Sequence, residues 1–216
     1  MKVFVYGAGG HGKVVADCLS AAGRYDVQGF VDDDESRSGL TVTGLQIIGG
    51  IDQLRREAET KIGVALGVGD NARRQKCAAL CMTLDIEILT VIHPAATVSK
   101  SADLQPGTVV MAGAVINPSA EIGAGVIVNT GAVIEHDVSI GDYAHVSPNA
   151  VMGGGSRLGS LAHLGLGAAI LPRVAVGNGT VIGAGAVVVR DIADNVVAVG
   201  VPARVTPETL RRILPK

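Results

Sequence analysis

The sequence is poor in aromatic residues: its 216 positions include two phenylalanines, three tyrosines and no tryptophan. A core without large rings must be filled by valine, isoleucine, leucine and alanine, which suits a narrow interior that is repeated many times. Charged residues make up only 18% and the formal net charge is −2, so the chain lacks the basic excess of a nucleic-acid-binding protein. Because 48% of the residues are hydrophobic, an intrinsically disordered chain is excluded as well.

The sequence also lacks a membrane-length apolar run and a set of paired cysteines. No uninterrupted apolar stretch reaches the ~18 residues of a membrane-spanning helix, and the first such stretch, 3–6, is too short for a signal peptide. The three cysteines, Cys18, Cys77 and Cys81, are odd in number and form no CxxC motif. This pattern argues against a disulfide framework and predicts a reducing, cytoplasmic location.

What the sequence does contain is a strict period of six residues from Val98 to Val188. Through sixteen consecutive hexads, every sixth residue is aliphatic and the residue two places before it is small or β-branched. Neither an α-helix, with a period of 3.6, nor an ordinary strand, with a period of 2, explains this repeat. It predicts a solenoid of parallel strands, in which three hexads form one triangular coil and the large aliphatic residue points inward. The glycines that follow several of these aliphatic residues are expected to serve turns with a positive φ.

The first ninety residues have a different pattern, in which strands and helices alternate. A buried strand at 2–6 leads into a glycine-rich loop and a helix that stops at Gly23, and further strands are expected near 27–31, 62–66 and 86–89. Another helix is expected from Asn71 to about Met82. The chain is therefore predicted to have three parts: a small Rossmann-like α/β domain at 1–92, a β-helix at 93–205 and a tail at 206–216. The tail is expected to form a short helix from Thr206 to Leu214.

The glycine-rich loop matches a phosphate-binding fingerprint. Gly7, Gly9 and Gly12 form GxGxxG between a strand and a helix, with Asp32 about twenty residues further on. A ninety-residue domain holds only one mononucleotide-binding half, and no hydride-transfer domain follows, so binding of NAD is disfavoured. A phosphate-bearing or sugar nucleotide is the favoured ligand, and a purely structural glycine turn stays open.

The whole chain resembles the sugar O- and N-acyltransferases, a family that includes sialic acid O-acetyltransferases and N-acetyltransferases of nucleotide-linked 4-amino-4,6-dideoxy sugars. The matching segments are YGAGGHGKVV (6–15), FVDDD (30–34), ALGVGDNARR (65–74), IHPAATV (92–98), VNTGAVIEHDVSIGDYAHVSPNAVMGGG (128–155) and GVPAR (200–204). The resemblance implies a Rossmann-like domain followed by a left-handed parallel β-helix. It also implies acetyl-CoA as co-substrate, a role in glycan biosynthesis and a homotrimer with active sites between neighbouring β-helices.

The resemblance also assigns residues to the nucleotide end of the acceptor. In this family, the GxGGHG-like loop, the acidic pair after the second strand and a glycine after the third strand hold the nucleotide. A carboxylate at the end of a strand is suited to accept hydrogen bonds from a base or a ribose. A solvated turn is the other interpretation of the acidic residues. The positions implied here are Gly9, Gly10, His11, Asp32, Asp33 and Gly69.

The catalytic base implied by the family is the histidine of its E-H-[DE] motif, which is His136. A neutral imidazole can take the proton that an attacking amine must lose. Asp137 or Glu135 could orient the ring, and the sequence does not decide between them. Gly154 follows His136 by three hexads, so it is expected to stack one coil away, where its amide could stabilise the oxyanion of the thioester.

The family also implies residues beside the thioester and along coenzyme A. Asn129 and His145 match family residues near the thioester, and GVPAR matches the segment that packs along the cofactor. Gly154 belongs to both sets, because its amide contacts the acetyl carbonyl in the family. His163 is expected to stack on His145 with a structural role only. The cofactor-side residues implied are therefore Asn129, His145, Gly154, Gly200, Pro202 and Arg204.

Four hypotheses follow for the function. The leading one is N-acetylation of a UDP-, GDP- or dTDP-linked amino sugar by direct transfer, with no metal, no nucleic acid and no membrane insertion. The close alternative is O-acetylation of sialic acid or a related sugar. A zinc enzyme of the β-helical carbonic anhydrase type is disfavoured. Its zinc site has two ligand histidines five residues apart, whereas His136, His145 and His163 are spaced by nine and eighteen residues. A scaffold without catalysis is disfavoured by the EHD motif and by GVPAR.

Overall fold

A computed structural model describes residues 1–58 and 61–206 of the chain. The described residues form two compact units, of which the first ends at Pro94 and the second begins at Ala95. The predicted tail helix lies outside the described residues, apart from Thr206. The domain boundaries expected from the sequence remain predictions.

The first unit is a small α/β unit around one sheet. The sheet has the order β3-β4-β2-β1-β5-β6, and all neighbours are parallel except the pair β3 and β4. Its helices are α1 (Gly10–Ala22), α2 (Ile51–Glu57) and α3 (Asn71–Thr83), with a short 3-10 turn at Glu35–Arg37. The strands are β1 (Lys2–Tyr6), β2 (Asp26–Val31), β3 (Thr41–Val42), β4 (Leu45–Gly49), β5 (Ile62–Leu66) and β6 (Glu87–Ile88), and β7 (Val91–Ile92) follows.

The principal elements form as the local sequence predicts. Strand β5 is buried along its whole length, as expected for a central parallel strand. Helix α1 buries Val15, Cys18 and Leu19 and ends at Gly23, whose φ of 66° is left-handed. The hairpin of β3 and β4 was not predicted from the sequence. Its two-residue loop needs a positive φ at both positions, and here it is Thr43-Gly44 rather than the usual Asn-Gly or Asp-Gly.

The second unit is a prism of three parallel sheets, as the period of six predicts. Successive strands of one sheet are eighteen residues apart, for example Val115 beside Val133 and Val133 beside Val151. The first sheet also takes in β24 (Val197–Val199) and, antiparallel to it, β25 (Arg204–Val205). Its two-residue strands are β10 (Val109–Val110), β13 (Ile127–Val128), β16 (His145–Val146), β19 (His163–Leu164) and β22 (Val181–Ile182). The second sheet holds β8 (Thr97–Val98), β11 (Val115–Ile116), β14 (Val133–Ile134), β17 (Val151–Met152), β20 (Ala169–Ile170) and β23 (Val187–Val188). The third sheet holds β9 (Asp103–Leu104), β12 (Glu121–Ile122), β15 (Ser139–Ile140), β18 (Arg157–Leu158) and β21 (Ala175–Val176).

The interior of the prism consists of the predicted aliphatic residues. Fourteen of the sixteen are buried, and the two exceptions, Val98 and Leu104, open the repeat. One aliphatic residue per strand fills a triangular interior that is too narrow for aromatic rings, which accounts for their scarcity. The inward direction of these residues, predicted from the period alone, is confirmed.

The glycines of the turns are required for two different physical reasons. The sequence predicted only one of them, a positive φ, and assigned it to the glycines that follow the inward residues. A left-handed backbone recurs at every sixth residue from Gly107 to Gly185, but these residues lie three places after the inward residue, and six of the fourteen are not glycine. The glycines directly after the inward residue have no such φ. A Cβ on Gly123 would lie 2.7 Å from the Asp142 nitrogen, and one on Gly159 would lie 2.5 Å from the Asn178 nitrogen. These glycines are needed because successive coils approach closely, not because φ is positive.

Truncation of one inward residue is expected to destabilise the prism strongly. Ile122 is 1% exposed, so Ile122→Ala leaves a cavity that its neighbours cannot fill, with an expected loss of about 2–5 kcal/mol in the free energy of unfolding. Glu121 precedes it in the same strand and is exposed, so Glu121→Ala is the matched control, with an expected change within about 0.5 kcal/mol. Denaturant unfolding of both variants measures this difference. Equal losses in the two variants would contradict the assigned inward direction.

Candidate active site

The glycine loop of the first unit contains glycines of two kinds. A Cβ on Gly7, whose φ is 106°, would lie 2.9 Å from the Gly67 carbonyl oxygen, and a Cβ on Gly12 would collide with the Gly7 carbonyl oxygen. By contrast, a Cβ on Gly9 or Gly10 would meet no atom within 4 Å. Gly7 and Gly12 are therefore required by packing, whereas Gly9 and Gly10 leave open space above the backbone where α1 begins. Space of this kind at a helix N-terminus suits an anionic ligand.

All six residues predicted to hold the nucleotide line one cleft in this unit. The cleft has a volume of about 490 Å³ and lies at the carboxyl ends of β1, β2 and β5, the usual ligand position in a parallel α/β sheet. Sequence reasoning missed Tyr6, Arg37, Asp70 and Arg73, which also line it. Tyr6 opens the family segment 6–15, whereas no periodic or motif signal marks Arg37. Asp70 and Arg73 lie within the family segment 65–74, and Asp70 caps α3 by accepting from the Arg73 nitrogen. The predicted residues are Gly9, Gly10, His11, Asp32, Asp33 and Gly69.

The two carboxylates of the acidic pair have different partners. Asp32 Oδ2 accepts from the Ala8 nitrogen at 2.9 Å and from Arg37 Nη1 at 2.7 Å, and its Oδ1 accepts from the Asp34 nitrogen at 3.1 Å. Asp33 accepts only the Tyr6 hydroxyl, at 2.6 Å, among the partners that the described chain provides. Asp32 therefore ties the glycine loop to the end of β2. Asp33 is the carboxylate with an oxygen left for a ligand.

His11 is held as a neutral imidazole against the floor of the cleft. Its burial, and then the positive charge of Arg74, lower its pKa from the ordinary value of 6.5 to about 4. Arg74 is completely buried and donates to the carbonyls of Val68 and Gly69, both at 3.1 Å. Gly69 packs beside His11, where a Cβ would lie 3.7 Å from the histidine Cβ. The cleft thus presents a neutral polar ring beside a fixed buried cation.

This lowered pKa predicts a pH dependence of stability. The folded-state pKa of His11 lies below its unfolded value, so unfolding takes up a proton between about pH 6.5 and about pH 4, and stability is lost as the pH falls through that window. In His11→Gln this contribution is absent, so the unfolding midpoint should fall less steeply from pH 7 to pH 4.5 than in the wild type. Thermal unfolding at a series of pH values measures the difference. Parallel curves for the two proteins would refute the assignment.

In the second unit, His136 and Asp137 form an exposed pair in the turn from β14 to β15. The histidine Nδ1 and the Asp137 Oδ2 are 2.7 Å apart, and the side chains are 63% and 65% exposed. Asp137 has a left-handed φ of 60°, one of the six non-glycine residues at that turn position. The structure thus pairs the ring with Asp137, an assignment that the sequence left open between Asp137 and Glu135. With Nδ1–H donating to the carboxylate, Nε2 is left as the proton acceptor.

Gly154 lies directly beneath the His136 ring. A Cβ built on it would lie 2.6 Å from the histidine Nε2 and 2.7 Å from Cε1. The prediction that this glycine stacks one coil away and leaves space is thus in agreement with the geometry. Among the residues that the structure describes, no acceptor is recorded for the Gly154 nitrogen. At the corresponding turn position, every other hexad has a residue with a side chain, for example Ala124, His136 and Asp142.

A second polar cluster lies on the first sheet. Asn129 Nδ2 and His145 Nε2 are 3.0 Å apart, and Ser147 Oγ and His163 Nε2 are 2.7 Å apart. The imidazole rings of His145 and His163 stack with centroids 4.7 Å apart and an angle of 20° between their planes. The expected stacking of the two histidines is present.

The GVPAR segment lies at the C-terminal end of the prism, against the second sheet, and only its last residue, Arg204, joins the first sheet, as the start of β25. The Val187 nitrogen donates to the Gly200 carbonyl and the Ala203 nitrogen to the Val187 carbonyl, so the segment folds against β23. The bond between Val201 and Pro202 is cis, and Arg204 Nη1 donates to the Ala203 carbonyl at 2.9 Å.

The predicted residues of the β-helix thus fall into two groups. His136, Asp137 and Gly154 lie in turns between the second and third sheets, whereas Asn129 lies in the turn from the first sheet to the second and His145 lies in a strand of the first sheet. One face of the prism therefore separates the two groups within a single chain.

No helix among the described residues is long and apolar enough to span a membrane.

A hexapeptide β-helix that carries an exposed histidine–aspartate pair above a glycine is typical of the hexapeptide-repeat acyltransferases. Family models agree: the PglD N-terminal domain matches residues 2–80, and the bacterial transferase hexapeptide model (six repeats) matches residues 119–154. The chain belongs to the sugar O- and N-acyltransferase family of that class. The predicted fold class, a Rossmann-like α/β domain with a left-handed β-helix, is confirmed with it.

Solved structures similar to the chain include acetyltransferases of amino sugars. A histidine-to-asparagine mutant of perosamine N-acetyltransferase from Caulobacter crescentus, in complex with CoA and GDP-perosamine, is 39% identical with a TM-score of 0.92, over 96% of this chain and 98% of that one. The acetyltransferase domain of PglB from Neisseria gonorrhoeae, in complex with acetyl coenzyme A, is 38% identical with a TM-score of 0.89, over 95% and 98%. WeeI from Acinetobacter baumannii AYE, at 20% identity and a TM-score of 0.71, shares the fold. A search of curated proteins finds no match.

Proposed function

We propose that the protein transfers the acetyl group of acetyl-CoA to the amine of a nucleotide-linked 4-amino-4,6-dideoxy sugar. Its similarity over nearly the whole chain to an enzyme bound to CoA and GDP-perosamine supports this acceptor class. The strongest single support is the His136–Asp137 pair with Nε2 directly above Gly154.

The reaction is a direct transfer with His136 as general base. The neutral sugar amine attacks the thioester carbonyl, and the C–N bond forms as Nε2 accepts the proton that the nitrogen loses. Asp137 holds Nδ1–H and stabilises the imidazolium that results. Collapse of the tetrahedral intermediate breaks the C–S bond. The proton passes from Nε2 to the departing sulfur, so that the products are the acetamido sugar and free CoA.

Gly154 supplies both space and a donor in this proposal. Because it has no side chain, the acetyl group can lie next to Nε2. Its N–H, for which the described chain provides no acceptor, points to the oxyanion that forms on the thioester carbonyl.

The cleft of the first unit is the proposed site for the nucleotide. Gly9 and Gly10 leave room for the diphosphate where α1 begins, and Arg73 brings positive charge to the same cleft, whereas the charge of Arg37 is paired with Asp32. Asp33, with a free carboxylate oxygen, is the proposed acceptor for the ribose or the base. Asp32 acts through the glycine loop, which its carboxylate holds in place. His11 and Gly69 complete the cleft as a neutral polar ring and the glycine packed beside it.

Acetyl-CoA is proposed to bind along the first sheet, with Asn129 and His145 near the thioester and Gly200, Pro202 and Arg204 along the coenzyme. The separation of this group from His136 in one chain supports a homotrimer, in which the two groups face each other across neighbouring prisms.

Acetyl-CoA turnover tests the proposal. Thiol release is measured with UDP-, GDP- and dTDP-linked amino sugars and with free sialic acid as acceptors. Rapid turnover of one nucleotide-linked amino sugar is the expected result and names the substrate. Turnover with sialic acid alone would replace N-acetylation by the O-acetyl alternative. No turnover with any acceptor would refute both.

A further inference from the structure

The polar cluster on the first sheet consists of two successive rungs of the same design. In each rung, a polar residue that follows one strand lies within hydrogen-bond distance of the histidine of the next coil: Asn129 with His145, and Ser147 with His163. The second rung lies eighteen residues beyond the first, which is one turn of the prism. From the sequence alone, His163 is expected to have a structural role only.

The first rung determines the tautomer of His145. Asn129 Oδ1 accepts from the Thr130 nitrogen at 2.8 Å, so its Nδ2 is the group that faces His145 Nε2. Because Nδ2 can only donate, Nε2 must be an acceptor, and a neutral His145 holds its proton on Nδ1. His145 is 9% exposed, so this orientation depends on its few neighbours.

One of these neighbours is the His163 ring. The two rings overlap nearly in parallel at 4.7 Å, and Ser147 Oγ, itself 3% exposed, holds His163 by Nε2 at 2.7 Å. Packing alone does not require imidazoles at these positions. The equivalent outward positions of the same sheet in the flanking coils are Val109, Ile127 and Val181, the residues expected of an apolar ladder. The two histidines therefore interrupt this apolar ladder, and one of them, His145, is the residue proposed to lie near the thioester.

We propose that His163 is a positioning residue, which fixes the ring plane of His145 and hence the acetyl-CoA end of the reaction. This inference rests on the proposed function, in which His145 contacts acetyl-CoA near the thioester. His163 itself touches no reacting atom in this scheme. The His163 ring provides the face on which the His145 ring stacks, and the hydrogen bond with Ser147 keeps the His163 ring from rotating.

The test compares four variants of the full chain. His163→Ala removes the ring, His163→Phe keeps a ring without its nitrogens, Ser147→Ala releases the ring, and Val181→Ala is the matched control on the next rung of the same ladder. Two readouts are taken: the separate KM values for acetyl-CoA and for the sugar, and the imidazole nitrogen NMR signals of His145 in ¹⁵N-histidine protein, which contains only five histidines.

In His163→Ala, the expected result is an increase of about tenfold in KM for acetyl-CoA, with KM for the sugar within about twofold, because a rotated His145 loses a contact with bound acetyl-CoA of the size of one hydrogen bond. The His145 signals should lose the pattern of a single Nδ1–H tautomer. In His163→Phe, KM for acetyl-CoA and the His145 signals should return most of the way to their wild-type values. Ser147→Ala should give values between those of His163→Ala and the wild type, and Val181→Ala should match the wild type.

Unchanged His145 signals and an unchanged KM for acetyl-CoA in His163→Ala would overturn the inference, as would equal changes in both KM values together with a lower unfolding midpoint. The NMR readout needs no turnover. If the wild type transferred no acetyl group, the proposed function would fail, whereas the signals of His145 would still decide whether His163 positions it.

Discussion

Replacement of His136 by alanine is expected to lower kcat for acetyl transfer about a thousandfold, which lies within the usual effect of removing a general base. Without Nε2, the amine that attacks the thioester has no acceptor for the proton that it must lose. Because the side chain is 63% exposed, the unfolding midpoint should stay close to that of the wild type. Steady-state thiol release with a saturating amino sugar measures the loss.

The matched control for this variant is Lys100→Ala. Lys100 occupies the corresponding turn position of an earlier hexad and is exposed, so its removal should leave kcat within about twofold. Asp137→Asn should give a smaller loss than His136→Ala, since the amide can still contact Nδ1 but provides no charge for the imidazolium. A kcat for His136→Ala within a few-fold of the wild type would remove His136 from the proposed mechanism.

The second large effect is expected from the addition of one methyl group. In Gly154→Ala the new Cβ would lie 2.6 Å from His136 Nε2, so the ring must move and Nε2 leaves its proposed position next to the acetyl group. A displacement of this size is expected to lower kcat about a hundredfold. Alanine itself fits the turn, because Ala112, Ala124 and Ala184 occupy the same position in other coils. The free energy of unfolding should therefore change little.

A double-mutant cycle separates this effect from general damage. If the Cβ acts by displacing the ring, then Gly154→Ala should cost much less when it is added to His136→Ala than when it is made in the wild type. Independent, additive losses in kcat would contradict the displacement argument. They would leave Gly154 with a role through its N–H alone.

The β-helix could be predicted in detail because its repeat leaves few alternatives. An inward aliphatic residue at every sixth position satisfies one geometry, so the strands at Val115, Val133 and Val151 follow from periodicity alone. The two kinds of turn glycine could not be distinguished in the same way. The closeness of Gly123 to Asp142 depends on the spacing between coils, which has no signature in one hexad.

The candidate site was predicted in part. Motif resemblance identified His136, Gly154 and the residues of the nucleotide cleft, since each belongs to a segment with a distinctive pattern. Tyr6 and Arg37 were missed, because their contacts with Asp33 and Asp32 join residues that are separated in sequence by 27 and 5 positions without any periodic relation. The position of Gly154 beneath His136 could be predicted, because eighteen residues, or three hexads, separate the two in the sequence.

The sequence by itself determined the fold class and the inward face of every hexad, because these depend on period and local pattern, and the resemblance of its EHD motif implied His136 as the base. Tertiary structure alone decided that Asp137 pairs with His136, that Asp32 accepts from Ala8 and Arg37 while Asp33 accepts from Tyr6, and that His145 and His163 stack. Such decisions are made by directed hydrogen bonds and ring contacts, which depend on side-chain positions to within a fraction of an ångström.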